Sequence, residues 1–154
     1  FTEQYDDVTR IAAEHGRTVR FGLNAFTIIR DTEAEARELL REIHAQADGA
    51  SVEGFRRSVQ QAGAATADRK GMWADSSLDD LVQYNDGFRT QLFGPPEQVA
   101  ERIIAYKKRG VNLFLLGFLH FQEELEEFGE KVIPIVRELE AEALRSGDPL
   151  AVSR

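Results

Sequence analysis

Leu92-Phe93-Gly94-Pro95-Pro96-Glu97-Gln98-Val99-Ala100-Glu101-Arg102-Ile103, followed after a short basic stretch by Gly110-Val111-Asn112-Leu113-Phe114-Leu115-Leu116-Gly117-Phe118-Leu119-His120, is the part of the chain that decides the fold. Gln91 to Gly94 predicts a very short strand stopped by a glycine. Pro95-Pro96-Glu97 then opens a helix, because a proline in the first turn lacks only an N–H that has no intrahelical partner there. Val99, Ile103, Ile104 and Tyr106 give that helix its apolar face, and Gly110 ends it. Val111 to Leu116 is continuously apolar apart from Asn112, which predicts a strand buried on both faces. A strand, a helix and a strand in immediate succession is the unit of a parallel sheet.

Working outward, the same alternation continues on the N-terminal side. Tyr5, Val8, Ile11 and Ala12 recur at helical spacing up to Glu14, with Gly16 where a helix stops. Thr18 to Ile29 is rich in β-branched and aromatic residues and predicts a buried strand interrupted by Gly22 and Asn24. Asp31 or Thr32 is placed to cap the next helix, whose apolar face is Ala34, Ala36, Leu39, Leu40 and Ile43 and which should end near Ala47. Gly49 to Gly71 carries a short amphipathic pattern in Phe55, Val59 and Ala62 before the small, polar run Gly63–Lys70, and Met72 to Tyr84 completes a long excursion of the kind that is usually functional. On the C-terminal side Leu125, Phe128, Val132, Ile135, Val136, Leu139 and Leu144 predict one helix over Phe121–Arg145, closed by Gly147-Asp148-Pro149. The class is α/β with a parallel sheet. A closed eight-stranded barrel needs about 250 residues and an open sheet fewer, so periodicity alone does not choose between them.

Composition narrows the function. Nineteen Lys and Arg against 27 Asp and Glu give the 154 residues a net charge of -8, which argues against nucleic acid or anionic lipid as a partner. With no cysteine, disulfides, thiolate nucleophiles and cysteine-ligated metals are excluded. The longest apolar run, Leu113 to Leu116, is far too short to cross a bilayer, and no secretion signal is evident, so a cytoplasmic protein is expected. The chain starts at Phe1 and its single methionine is Met72, so an N-terminal portion is expected to precede it.

Taken together, the Leu92–Ile103 and Gly110–His120 stretches quoted above resemble the C-terminal part of the bacterial luciferase-like flavin monooxygenases, which are TIM barrels. Arg20-Phe21-Gly22-Leu23-Asn24-Ala25-Phe26 and Gly71-Met72-Trp73-Ala74-Asp75 are similar to the two-component enzymes of that superfamily that act on alkanesulfonates and dimethyl sulfone, and Leu81-Val82-Gln83-Tyr84-Asn85-Asp86-Gly87-Phe88 resembles the dimethyl sulfone branch. The resemblance covers nearly the whole chain. It implies that residues 1–154 are the last three or so strand-helix units of one barrel domain, with Thr18–Arg30 as the sixth strand, Gln91–Gly94 as the seventh and Val111–Gly117 as the eighth. Residues 49–90 would then form an insertion, a lid across the mouth. The implied activity is oxygenation of a small organosulfur compound with cleavage of a carbon-sulfur bond. Reduced FMN would come from a separate NAD(P)H-dependent reductase, dioxygen would be the second substrate, and the protein would be a dimer or tetramer.

The resemblance also implies roles. His120 follows a strand end directly and is the first candidate for an active-site imidazole that donates a hydrogen bond or proton. Asn24 is the second candidate, a polar amide inside a strand that needs partners. The related sulfonate enzymes carry arginine at the position of Asn24 and histidine at that of Phe26. An anionic sulfonate favours a cation, whereas a neutral sulfone needs a hydrogen-bond donor and an apolar wall, so Asn24 with Phe26 fits the neutral substrate. Arg89, Gly94 and Phe118 are expected at the cofactor, Arg89 as the partner of the FMN phosphate or of an anionic product. Trp73, Tyr84 and Asn85 join Phe26 as substrate-side residues, although Trp73 serves equally as an anchor for the insertion.

His15 and His44 fall late in helices, where an imidazolium suits the dipole and a structural role is expected. The acidic run Glu123, Glu124, Glu126, Glu127 and Glu130 reads as a solvated helix face, and no metal site is expected. Two rival readings stay open: a luciferase-like oxidoreductase that binds a deazaflavin tightly without a reductase, and a non-catalytic subunit of the same fold.

Overall fold

A computed structural model describes residues 2–65, 73, 75–83 and 85–150. Helix α1 (Thr2–Glu14) stops at Gly16, whose φ of 63° lies in the left-handed region. Strand β1 (Phe21–Ile29) follows, and helix α2 (Glu33–Gln46) starts from Thr32, whose side chain accepts from the Glu35 N–H while Glu35 reaches back to the Thr32 N–H. Helix α3 (Gly49–Ala64) is longer than its apolar pattern predicts. The Asp48 carboxylate accepts from the N–H groups of Ala50 and Ser51, which gives the segment a firm start. Helix α4 (Leu78–Leu81), capped by Ser77, and a 3-10 turn at Gly87–Thr90 lead to strand β2 (Leu92–Gly94). Helix α5 (Pro96–Lys108), strand β3 (Val111–Gly117), helix α6 (Phe121–Glu127) and helix α7 (Ile133–Ser146) complete the order.

The last helix is not continuous, as its apolar pattern alone predicts, but passes through a π turn at Phe128–Val132. Pro134 is the reason. It has no N–H and its ring crowds the carbonyl four residues earlier, so the chain widens by one residue and restarts with Pro134 in the first turn of α7.

The three strands are parallel in the order β2-β1-β3. β3 pairs with one edge of β1 from Phe21–Val111 to Phe26–Gly117, and β2 pairs with the other edge from Thr27–Leu92 to Ile29–Gly94. This corrects the strand numbering that the resemblance implied, because a seventh strand would separate the sixth from the eighth. Here β1 and β3 are direct neighbours, and β2 extends only the far end of β1. β2 is three residues long and so pairs with only three residues of that edge, whereas β3 runs along the other edge over Phe21–Phe26.

The burial follows from this division. At the far end of β1, Ala25 and Ile29 pack with Leu92, Val99, Ile103, Phe128 and Val132, while Phe26 and Ile28 pack with Ala36, Phe88 and Phe93 in a second cluster. The near half has only one covered face. Gly22 lies opposite Leu113 and Asn24 opposite Leu115, and these two leucines are 63% and 68% exposed. β3 is therefore not buried on both faces, as its composition predicts. Nothing among the described residues covers the side that carries Leu113 and Leu115, whereas Phe114 and Leu116 on the other side pack into the core.

Residues 1–154 produced alone are thus expected to self-associate through this bare leucine face and the open parallel edges. Sedimentation should show concentration-dependent association that L113E/L115E largely removes. A monodisperse wild-type monomer with a cooperative melt would contradict the exposure of that face.

Candidate functional site

The described cleft of interest runs along β1. Gly22, Leu23 and Asn24 form one wall, Trp73, Asp86, Arg89 and Thr90 another, and Tyr106 of α5 closes the side, around a volume of about 410 Å³. That volume is within the range of small-ligand sites. Three of the residues singled out from sequence, Asn24, Trp73 and Arg89, come together here although they are widely separated in the chain.

Local chemistry explains how the 85–90 segment reaches β1. Asn85 Oδ1 accepts from the Gly87 N–H at 2.7 Å, which folds the chain into a tight turn. Gly87 then lies so close to β1 that an added Cβ would sit 3.1 Å from the Phe26 nitrogen and 2.7 Å from Asn85 Oδ1. A side chain there would displace the Asn85 amide and press on the β1 backbone, so glycine suits that approach. Asp86 accepts from the Ser76 hydroxyl and pairs with Arg89, Oδ2 to Nη1 at 3.1 Å. Arg89 is 57% exposed by side chain, so the guanidinium sits at the cleft mouth with one edge engaged and the rest toward solvent. Trp73 takes a φ of 62° and lies tilted against Phe55 with ring centroids 5.8 Å apart, so it joins the cleft to α3. The Tyr106 hydroxyl donates to the Thr90 carbonyl at 3.2 Å, which fixes the turn against α5.

The other sequence candidates lie elsewhere. Phe26 is buried and packs on Phe88 at 5.0 Å, inside the second core cluster rather than on the cleft wall. Phe118 is also a core residue, in edge contact with Phe121 and Phe128. Gly94, with φ 128°, is buried below Gln98, and its carbonyl accepts from the Arg30 N–H at 3.1 Å. Tyr84 lies outside the described residues. Asn85 shapes the turn and is half-buried.

His120 does not line the cleft with Asn24. Its side chain is exposed just beyond β3, whereas Asn24 sits two residues short of the point where β1–β3 pairing stops at Phe26–Gly117. His44 is in the last turn of α2, where its ring packs edge-on to Phe88 at 5.3 Å and its Nε2 is buried.

Two groups at the strand ends carry no distinguishing sequence signal. Glu124 belongs to the run read as a solvated face, yet it is 6% exposed and faces Arg30, Oε1 to Nη2 at 3.3 Å. Acids are ordinary in a first helical turn, so nothing in the sequence separates Glu124 from Glu123. Glu33, which opens α2, accepts from Gln98 Nε2 at 2.6 Å, from Arg37 Nη2 at 2.6 Å and from Arg102 Nη2 at 3.3 Å. Arg102 also donates to the carbonyls of Gln91 and Phe93. This network joins α2, β2 and α5 just above the sheet. No group of His, Asp and Glu among the described residues is arranged to hold a metal ion.

Against known proteins, residues 1–113 match the luciferase-like monooxygenase family. The chain is 58% identical over 139 residues to an FMNH(2)-dependent dimethylsulfone monooxygenase of Pseudomonas putida, which covers 90% of this chain and 38% of that protein. It is 54% identical over 140 residues to the protein of the same name from Pseudomonas fluorescens, covering 91% of this chain and 38% of that one. A sulfoquinovose monooxygenase of Agrobacterium fabrum is 29% identical over 133 residues, with 80% of this chain and 34% of that protein covered. The chain thus spans about 38% of the length of the first two relatives.

The Glu33 network makes a prediction for acid. The Gln98 amide, then the Arg37 and Arg102 guanidiniums, lower the Glu33 carboxyl from the usual 4.5 to about 2. A carboxyl depressed on folding adds stability above its unfolded value, and that stability is lost as pH falls from about 4.5 towards about 2. Urea midpoints measured stepwise across this window should fall less steeply for Glu33→Gln than for the wild-type sequence. Parallel curves would show that the network does not couple to folding.

Proposed function

The chain belongs to the luciferase-like monooxygenase family, and on that premise we propose that it is the C-terminal part of a barrel enzyme that uses reduced FMN and dioxygen to oxygenate a small organosulfur compound, dimethyl sulfone foremost. The observation that carries this reading is the identity of 58% to a dimethylsulfone monooxygenase over nine-tenths of the chain. The name of that relative also favours reduced FMN over a deazaflavin. Carbon-sulfur cleavage, supply of the reduced flavin by a separate NAD(P)H-dependent reductase, a cytoplasmic location and a homo-oligomeric state complete the proposal.

The geometry supports it in three respects. The bare face of Gly22, Asn24, Leu113 and Leu115 suits the inner wall of a larger barrel, with β1 and β3 as consecutive strands. The cleft offers a neutral amide at Asn24 and an aromatic wall at Trp73, which suits a sulfone oxygen better than a sulfonate. Arg89 supplies a cation at its mouth for a phosphate. Residues 49–90 are the proposed insertion over the site, and the Asn85–Gly87 turn is where it meets β1.

Reduced FMN would fit this donor set, with Arg89 at its phosphate, and would supply the activation of dioxygen. The protein's own part is to bind, orient and exclude water. Asn24 would donate its amide N–H to a sulfone oxygen. His120 would hold or deliver a proton at its imidazole. The insertion would keep water from the reacting centre. Gly94 and Phe118 act from behind, Gly94 by joining the ends of β1 and β2 and Phe118 by fixing the end of β3 in the core. Phe26 and Asn85 likewise support the wall rather than forming it.

In the full-length protein with saturating reduced FMN, Asn24→Ala and His120→Ala should each lower turnover of dimethyl sulfone by at least about tenfold, the scale of one hydrogen bond made in the transition state. Arg89→Ala should instead weaken reduced-flavin binding with a smaller effect on kcat. Wild-type turnover in both Asn24→Ala and His120→Ala would remove the site assignment.

A further inference from the structure

Among the described residues Glu124 is the only buried carboxylate, and the proposed chemistry gives it no task. Its two oxygens do different work. Oε2 accepts from the backbone N–H groups of Leu119 at 2.9 Å and His120 at 3.1 Å. Oε1 faces the Arg30 guanidinium, and Arg30 in turn donates to the Ile29 carbonyl at the end of β1. One carboxylate therefore ties the loop that leaves β3 to the last residue of β1.

This is a costly way to begin a helix. His120 stands at the N-cap of α6 and its side chain makes no capping bond. A serine or aspartate at position 120 would accept from amides of the first helical turn, not from the Leu119 and His120 N–H groups that the Glu124 carboxylate holds. What the buried pair achieves instead is a backbone at Leu119–His120 that is held from two strand ends while the imidazole stays unengaged and exposed.

We propose that Glu124, braced by Arg30, is a positioning residue that fixes the Leu119–His120 backbone so that the His120 imidazole meets the substrate. The inference rests on the oxygenase reading and on the role given there to His120. Reach matters more than charge in this arrangement. Glu124→Gln keeps an oxygen that accepts both amides and gives up only the Arg30 brace, whereas Glu124→Asp keeps the charge but is one methylene too short to reach the loop amides from α6.

The test uses the full-length protein with reduced FMN and dimethyl sulfone. Glu124→Asp is expected to lower kcat at least about tenfold with little change in KM, and Glu124→Gln to stay within about threefold of the wild type. On a His120→Ala background both substitutions should cost nothing further, since residues that act through one group are not additive. A purely structural ion pair would give the opposite ranking, with aspartate above glutamine. That ranking, or a full multiplicative loss in the double variants, overturns the proposal. Amide exchange at Leu119 and His120, read without substrate, separates this inference from the oxygenase reading. Protection kept in Glu124→Gln and lost in Glu124→Asp supports the hold on the loop even if the wild-type protein leaves dimethyl sulfone untouched, and equal protection in all three overturns it.

Discussion

The structure depends on how β1 shares its backbone hydrogen bonds. A parallel strand has to satisfy its N–H and C=O groups at its edges, and β1 does so with a different partner on each edge, β3 along Phe21–Phe26 and β2 only along Thr27–Ile29. β2 is only three residues long, and it holds because other groups secure it: the Arg30 N–H meets the Gly94 carbonyl, and Arg102 reaches the carbonyls of Gln91 and Phe93. Packing then divides β1 into a far half covered on both faces and a near half bare on one.

That division sets the positions of the polar groups. At the far end, apolar clusters fill both faces, so the charges gather just beyond the strands, with Glu33 joining α2 to α5 and the Arg30–Glu124 pair joining β1 to the loop after β3. Along the near half, the turn at Asn85–Gly87 brings Asp86 and Arg89 beside Asn24. The cleft and the His120 loop are separate in the described residues. Their union in the proposed enzyme requires the remainder of the barrel wall, for which the leucines of β3 provide an apolar face.

Much of the fold was legible because its signals are local. Gly16, the Asp31-Thr32 pair, Pro95-Pro96 and Gly147 each act within one turn of the helix end they mark, and the helix bounds follow them closely. Strand order was not legible, since nothing in Leu92-Phe93-Gly94 states that it pairs with Thr27–Ile29 rather than lying between β1 and β3. Apolar composition also misled for β3: Leu113 and Leu115 read as core, but composition does not say which faces are covered by the same chain. In the site, Asn24, Trp73 and Arg89 meet as three residues marked by a resemblance. Phe26 and Phe118 were marked in the same way and are core, because aromatic residues serve a cavity wall and a packed interior equally well. Glu124 was hidden within an acidic run, as burial of one glutamate among five is decided by tertiary packing with Arg30.

The most direct measurement of the central claim is isotopic. The full-length protein is supplied with reduced FMN, dimethyl sulfone and heavy-isotope dioxygen, and both the organosulfur and the one-carbon product, the latter trapped as it forms, are analysed by mass spectrometry. The account predicts consumption of the sulfone, with one labelled oxygen atom from dioxygen recovered in the cleaved products. Unconsumed sulfone, or products whose new oxygen comes only from water, would contradict it.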